Sequence, residues 1–231
     1  MSVKALCFDT GGTVLDWHKG IGAAFAAAGK ARGLQADWAA VTNDYRKRSL
    51  QGIVNAERPA YNFDDVMRRT LDDVISAFDL GALSAADRDA IWRTWHALGA
   101  WPDFPAALER MRKRYPVVSF TLLTTSLVID VSRRNGIVWD AIISCEMIGH
   151  YKVKPEAYRT AAKWLQLEPA EILMVACHNF DLDAARACGF QTAFVRRPDE
   201  WGPPGPPDPN PNPACTLVAD DFPALAGALG A

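Results

Sequence analysis

The 231-residue chain predicts an α/β fold, a Rossmann-like and mostly parallel sheet with helices on both faces, interrupted by an inserted all-helical cap. Three observations carry this. From residue 99 onward, short apolar runs of strand length alternate with helix-spaced segments, the pattern of repeated strand–helix units in a parallel sheet. The first apolar run, 3–8, stops at Asp9 and is followed by Gly11 and Gly12, as a buried strand ends in a tight turn. Between these regions, residues 15–98 show helical spacing and no convincing strand. The expected division is a core of residues 1–14 and 99–231 and a cap of residues 15–98.

Within the cap, helices are expected over 37–51, 63–78 and 84–98. Ser84-Ala85-Ala86-Asp87 offers a capping hydroxyl and a first-turn acid. Trp38, Phe63, Trp92 and Trp95 are the expected cap core. Residues 99–103 form a linker. Then follow a helix over 104–115, a strand over 117–123, a helix over 126–135 closed by Gly136, and a short strand over 141–144. Residues 155–165 read as a helix with proline in its first turn. A strand over 172–176 precedes a helix over 181–188 stopped by Gly189, and a strand spans 191–195. Seven prolines between 203 and 213 exclude helix and central strand, so this stretch is expected to be an extended surface connector. A last strand and helix are expected over 216–219 and 222–229.

Composition narrows the function classes. Apolar residues make up 49% of the chain, enough for a sizeable core, and the net charge of −2 offers no field for nucleic acid or anionic lipid. The five cysteines are widely spaced and form no C-x-x-C pair, which argues against a disulfide framework or a zinc site. No apolar run approaches membrane-spanning length. The longest, 21–29, is rich in Ala and Gly and stops at Lys30. The N-terminal run is too short for a signal peptide, so a cytoplasmic protein is expected.

In an open parallel sheet, functional groups gather at the carboxyl ends of the strands. Those ends carry Asp9, then Thr121, Thr124, Thr125 and Ser126, then His150-Tyr151-Lys152, then His178-Asn179-Phe180-Asp181. Four polar clusters on one rim supply carboxylates, an amine and hydroxyls, a set suited to nucleophilic catalysis with charge stabilisation.

Three of these clusters carry a family resemblance. Phe8-Asp9-Thr10-Gly11-Gly12-Thr13-Val14 resembles the nucleophile motif of the haloacid dehalogenase superfamily. Tyr151-Lys152-Val153-Lys154-Pro155-Glu156-Ala157-Tyr158 resembles its lysine motif. The segment from Ala176 to Arg186 resembles its acidic motif in the form used by type II 2-haloacid dehalogenases. Order and spacing fit across nearly the whole chain, and the helical block falls where that family carries its cap. The resemblance implies that Asp9 attacks the halogen-bearing carbon of a short 2-haloacid and forms an ester that water cleaves. Lys152 would be the cation beside it, with Lys154 its rival, and Asp181 would anchor Lys152 and orient the water. Arg46, in Asp44-Tyr45-Arg46, would receive the halide, with Arg48 its nearest competitor. Thr121, Thr124, Tyr158, His178, Asn179 and the backbone at Gly11 would line the substrate site. No cofactor and no metal are implied; the partners are a small 2-haloacid and a halide, and a homodimer follows by analogy.

The chain also departs from the family pattern. Most superfamily members are magnesium-dependent phosphotransferases with a second acid two residues after the nucleophile and another four before the last Asp. Here those positions are Gly11 and Cys177. A hard divalent cation wants several oxygen ligands, and glycine cannot protonate a leaving group. Gly11 also replaces the aromatic residue that dehalogenases usually carry, Leu122 follows Thr121 where they carry Asn, and Val153 takes a usual proline position. The expected function is metal-independent hydrolytic dehalogenation. A magnesium-dependent phosphatase and a degenerate member that binds without turnover remain as alternatives.

Overall fold

The computed structural model describes residues 3–54, 62–203, 205 and 210–231. Six strands form one parallel sheet: β1 (Ala5–Phe8), β2 (Val117–Thr121), β3 (Ala141–Ser144), β4 (Ile172–Ala176), β5 (Gln191–Val195) and β6 (Leu217–Ala219), in the order β3-β2-β1-β4-β5-β6. β1, β2 and β4 are buried along their whole length. β1 and β4 are apolar throughout and β2 is interrupted only by Ser119 and Thr121, because both faces of a parallel sheet are covered. Strand order reverses at β1, which lies between β2 and β4. A crevice therefore opens beyond its carboxyl end. Phe8 pairs with Ser119 on one side and Val175 on the other. The Asp9 amide still donates to the Val175 carbonyl at 2.9 Å, so Asp9 leaves the sheet at its most enclosed point.

The cap lies between β1 and the first core helix. It comprises α1 (Trp17–Ala31), α2 (Trp38–Val54), α3 (Phe63–Ala77), α4 (Ala85–Arg93) and a single 3-10 turn, Thr94–Ala97. Ser84 and Asp87 form the reciprocal cap expected at the start of α4: the Asp87 amide donates to Ser84 Oγ and the Ser84 amide to Asp87 Oδ2. Phe63 packs edge-on against Trp95 with ring centres 5.2 Å apart, and Phe25 against Tyr45 at 5.8 Å. Phe63, Trp92 and Trp95 are buried in the cap core, whereas Trp38 is only half-buried. The sequence pattern did not mark α1 as a helix, because three glycines lower its intrinsic propensity. Packing overrides this. A Cβ on Gly29 would lie 2.2 Å from the Trp38 ring, and one on Gly20 would lie 2.5 Å from Leu98, so the absence of side chains is what lets these neighbours close on α1.

The remaining helices cover the sheet: α5 (Phe104–Arg112), α6 (Thr125–Asn135), α7 (Cys145–Ile148), α8 (Pro155–Leu165), α9 (Asn179–Ala187) and α10 (Phe222–Ala228). Helix α7 was not expected; it is one turn, capped by Ser144 and closed by left-handed Gly149, too short to show a period. Helix α9 begins two residues earlier than its spacing suggested. Of the proline-rich stretch, residues 204 and 206–209 lie outside the described residues. Among the described residues, no helix is long and apolar enough to cross a membrane.

One ionic contact joins the cap to α6. His96 reaches Asp130 through Nδ1 at 2.7 Å and Asp64 of α3 through Nε2 at 3.3 Å. The hydrogen bond to Asp64, with that to Asp130, raises the His96 pKa against the effect of its partial burial. A raised folded value stabilises the protein below the ordinary histidine pKa of about 6.5 and loses that stabilisation as pH rises through the folded value. His96→Asn is therefore expected to lower the melting temperature at pH 5–6, by an amount worth up to about 1 kcal/mol, with the difference from the parent fading toward alkaline pH. A pH-independent difference would show that His96 acts by packing alone.

Candidate active site

Asp9, Lys152 and Asp181 meet at the carboxyl rim of β1. The Lys152 ammonium donates to Asp9 Oδ1 at 3.2 Å and to Asp181 Oδ2 at 2.7 Å. Its side chain is only 1% exposed, and the Phe120 ring lies 4.7 Å from Nζ. The Tyr158 hydroxyl donates to Asp181 Oδ1 at 2.6 Å, so both oxygens of Asp181 are held. Lys154 caps α8 with its backbone and carries its ammonium over the Tyr151 ring, away from the carboxylates.

Burial acts against every charge here, and the charges offset it for one another. Burial alone would raise the Asp9 pKa, but the Lys152 charge, the His178 contact and the Thr13 hydroxyl hold it well below the usual carboxylate range. Burial would lower the lysine value, but Asp181 and Asp9 together push it above its ordinary range. Asp181 is raised, by burial first and with the Asp9 charge adding to it, while Lys152 pulls the other way. At neutral pH the arrangement presents an ionised Asp9, the form needed for attack.

The second oxygen of Asp9 faces a different group. Thr13 Oγ1 donates to Oδ2 at 2.7 Å, and His178 Nδ1 lies 3.2 Å from the same atom. On its far side, His178 Nε2 lies 3.0 and 3.1 Å from the two oxygens of Glu200. Glu200 in turn accepts from Trp17 Nε1 at 3.0 Å. The loop that carries Thr13 is fixed by Arg197, which donates from Nε to the Thr13 carbonyl and pairs with both oxygens of Asp103 at 3.0 and 3.1 Å. Neither Thr13 nor Glu200 was singled out from the sequence. Glu200 had a legible signal: it is a carboxylate just past the carboxyl end of β5, on the same rim as the clusters that were read.

Gly12 leaves room for Glu200 and His178 to meet. Its φ is +94°, and a Cβ there would stand 2.1 Å from Glu200 Oε1. Gly12→Ala is expected to cost about 1–3 kcal/mol from the backbone conformation and to displace Glu200 from His178. Thermal unfolding reads the first effect; an unchanged melting temperature would refute it.

Arg46 is buried, with its guanidinium 5.7 Å from the Trp17 ring centre and 5.5 Å from that of Trp95. A Cβ on Gly11 would lie 3.6 Å from Arg46 Nη2, so the missing side chain at position 11 opens onto the cap arginine. Arg48 instead pairs with Asp44. The expected hydroxyls divide. Thr121 is buried at the end of β2 and accepts from the Leu123 amide at 3.1 Å. Thr124 caps α6 through Leu127 and donates to Asp64 at 3.3 Å, so its hydroxyl is engaged in joining cap to core. Asn179 is not brought to the cluster. Its amide donates to the Asn210 carbonyl at 2.7 Å and accepts from the Asn212 amide at 3.0 Å, because the first residue of α9 faces the connector rather than Asp9. A cavity of about 380 Å³ between cap and core is lined by Leu50, Gln51, Ile53, Leu122, Val153 and Phe180 and reaches Lys152. It is an apolar approach with a cation at its floor.

The residues do not fit the magnesium ion common in related folds. An ammonium stands between Asp9 and Asp181, and Gly11 and Cys177 supply no carboxylate. Cys177, His178 and Glu200 bring donor atoms within 4.8 Å of one another. Burial pushes the Cys177 thiol up to about 11, so it is a neutral S–H that hydrogen-bonds to Glu200 at 3.6 Å.

Comparison with known proteins gives the family. The family model for haloacid dehalogenase-like hydrolases matches residues 3–189. The (S)-2-haloacid dehalogenase 1 of Pseudomonas sp. (strain CBS-3) is 26% identical over 201 residues, covering 84% of this chain and 85% of that protein. The crystal structure of a defluorinating L-2-haloacid dehalogenase superimposes with a TM-score of 0.90 at 36% identity, covering 99% of this chain and 96% of that one. A second L-2-haloacid dehalogenase structure gives a TM-score of 0.90 at 31% identity over 99% of both chains. The chain belongs to the haloacid dehalogenase-like hydrolases.

Proposed function

We propose that the protein is a metal-independent hydrolase of short 2-haloalkanoic acids that works through an ester on Asp9. The observation that carries this reading is the buried Lys152 ammonium bridging Asp9 and Asp181, which serves a carboxylate nucleophile and leaves no oxygen cage for a metal. The relatives named as 2-haloacid dehalogenases support the substrate class.

Among the described residues, Asp9 Oδ1 accepts from Lys152 while Oδ2 faces both Thr13 and His178, so Oδ1 is the less encumbered nucleophile. It attacks the carbon bearing the halogen, the carbon–halogen bond breaks with its electron pair, and the halide departs toward Arg46. Thr121 and nearby backbone N–H groups hold the substrate carboxylate. Alignment of oxygen and carbon lowers the barrier by about 7–11 kcal/mol. Water then attacks the ester carbonyl carbon, helped by Lys152 and Asp181, and releases the 2-hydroxyacid. Tyr158 acts through Asp181. Residues 15–98 serve as the cap over a core of 1–14 and 99–231. All five cysteines are unpaired, which supports a reducing, cytoplasmic setting.

A halide-release screen over chloro-, bromo- and fluoroacetate and 2-halopropionates, with chelator present, tests the reading. Halide release insensitive to chelator is expected. Phosphate release that requires magnesium, with no halide from any haloacid, would replace it with the phosphatase reading.

A further inference from the structure

The mechanism above does not use the charged pair on the other side of Asp9, His178 and Glu200. His178 stands between two carboxylates, Asp9 at 3.2 Å and Glu200 at 3.0 Å. A neutral imidazole has one N–H and one lone pair, so it can satisfy only one of them. With acceptors on both sides, both ring nitrogens donate. The ring is stacked on Phe180 at 5.2 Å. The groups facing it are Asp9, Glu200 and the Cys177 thiol, with Thr13 on the shared Asp9 oxygen. Lys152 stands behind Asp9, and Arg46 and Trp17 stand behind Glu200.

We propose that Glu200 and His178 form a charged clamp for the second half-reaction: the His178 imidazolium, held by Glu200 through Nε2, donates through Nδ1 to Asp9 Oδ2 and stabilises the oxyanion formed there when water attacks the ester. This rests on the dehalogenase reading and adds a role for two residues within it. When the water oxygen bonds to the Asp9 carbonyl carbon, the carbonyl π pair moves onto Oδ2 and the water gives a proton to Asp181. On collapse that pair returns, the bond from the carbonyl carbon to Oδ1 breaks, and the departing alkoxide takes the proton from Asp181. The carboxylic proton left on Asp9 passes to solvent. Thr13 and His178 already point at Oδ2 in the resting enzyme, so no reorganisation is needed as charge develops.

Glu200 is the positioning residue. Esterification removes the negative charge of Asp9, one of the two charges that keep His178 protonated. Glu200 is the one that remains. Burial disfavours the imidazolium, and the Glu200 charge and the hydrogen bond to Asp9 oppose that effect.

Rapid-quench halide kinetics on Glu200→Gln and His178→Asn, with the covalent intermediate weighed by mass spectrometry, test the clamp. In Glu200→Gln a burst of about one halide per site is expected, then a steady state 10- to 100-fold slower than the parent, with ester accumulated. Its alkaline limb should move at least one pH unit toward acid. His178→Asn keeps an N–H donor but no charge, so adding Glu200→Gln to it should slow hydrolysis no further. Nitrogen-15 NMR of His178 in the free enzyme needs no substrate. It should show both ring nitrogens protonated at pH 7 in the parent and a lower pKa in Glu200→Gln. A neutral His178 in the parent, or slowing of Glu200→Gln without ester accumulation, would overturn the clamp. Absence of halide release from the parent would instead overturn the dehalogenase reading, and with it the role in ester hydrolysis, while the NMR result would still decide whether Glu200 keeps His178 doubly protonated.

Discussion

Replacing Lys152 by methionine is expected to lower halide release by about 10²- to 10³-fold and to destabilise the fold by about 3–5 kcal/mol. The kinetic loss follows from removing a fixed cation from a dry site, worth about 3–4 kcal/mol per well-aimed group. The structural loss follows because the variant leaves Asp9 and Asp181 buried without the charge that both use. Proton uptake is the available relief, and Asp181, already raised by burial, is where it occurs.

This sets the sign of the pH dependence. In the parent, the depressed Asp9 value contributes stability above the ordinary carboxylate range and loses it as pH falls through the folded value. In Lys152→Met, a raised carboxyl makes the fold more stable as pH falls and less stable as pH rises through that raised value. Urea unfolding at pH 5 and pH 8 should therefore show a larger deficit at pH 8. A variant with the parent's unfolding midpoint and halide rate would show that the buried triad is neither structural nor chemical.

Asp9→Ala is expected to abolish halide release, a loss of at least about 10⁵-fold, because the aligned nucleophile accounts for about 7–11 kcal/mol of barrier lowering. Its cost in stability should be far smaller than that of Lys152→Met. Lys152 keeps Asp181 at 2.7 Å and His178 keeps Glu200 at 3.0 Å, so no buried charge is stranded. The contrast separates nucleophile from scaffold: Asp9→Ala should be inactive and folded, Lys152→Met slow and unstable. Mass spectrometry of the quenched parent should show the covalent adduct, and Asp9→Ala should not. Halide release by Asp9→Ala at the parent rate would end the nucleophile assignment.

Most of the architecture was legible because it is written in local periodicity. Strands β3, β4 and β5 begin and end where the sequence placed them, and the Ser84 cap and the Gly136 stop act through the chemistry of single residues. Helix α1 was not legible, since its glycines are justified only by Trp38 and Leu98 lying against them. At the site, motif spacing was enough to mark Asp9, Lys152 and Asp181 as candidates. It could not separate a hydroxyl near the substrate from one that caps α6 and binds Asp64, which is where Thr124 stands. Nor could it show that the Asn179 amide turns to the connector.

By itself, the sequence determined the alternation of strands and helices, the interruption by a helical cap and the positions of the chemically armed residues, because each depends on neighbours a few residues away. Only the tertiary structure decided which of those residues share charge. Asp9, Lys152, Asp181, His178 and Glu200 come from four rim segments of the sheet, His178 and Asp181 sharing one. Their protonation states depend on distances of about 3 Å between groups that sequence order does not encode, inside a region dry enough for those distances to matter.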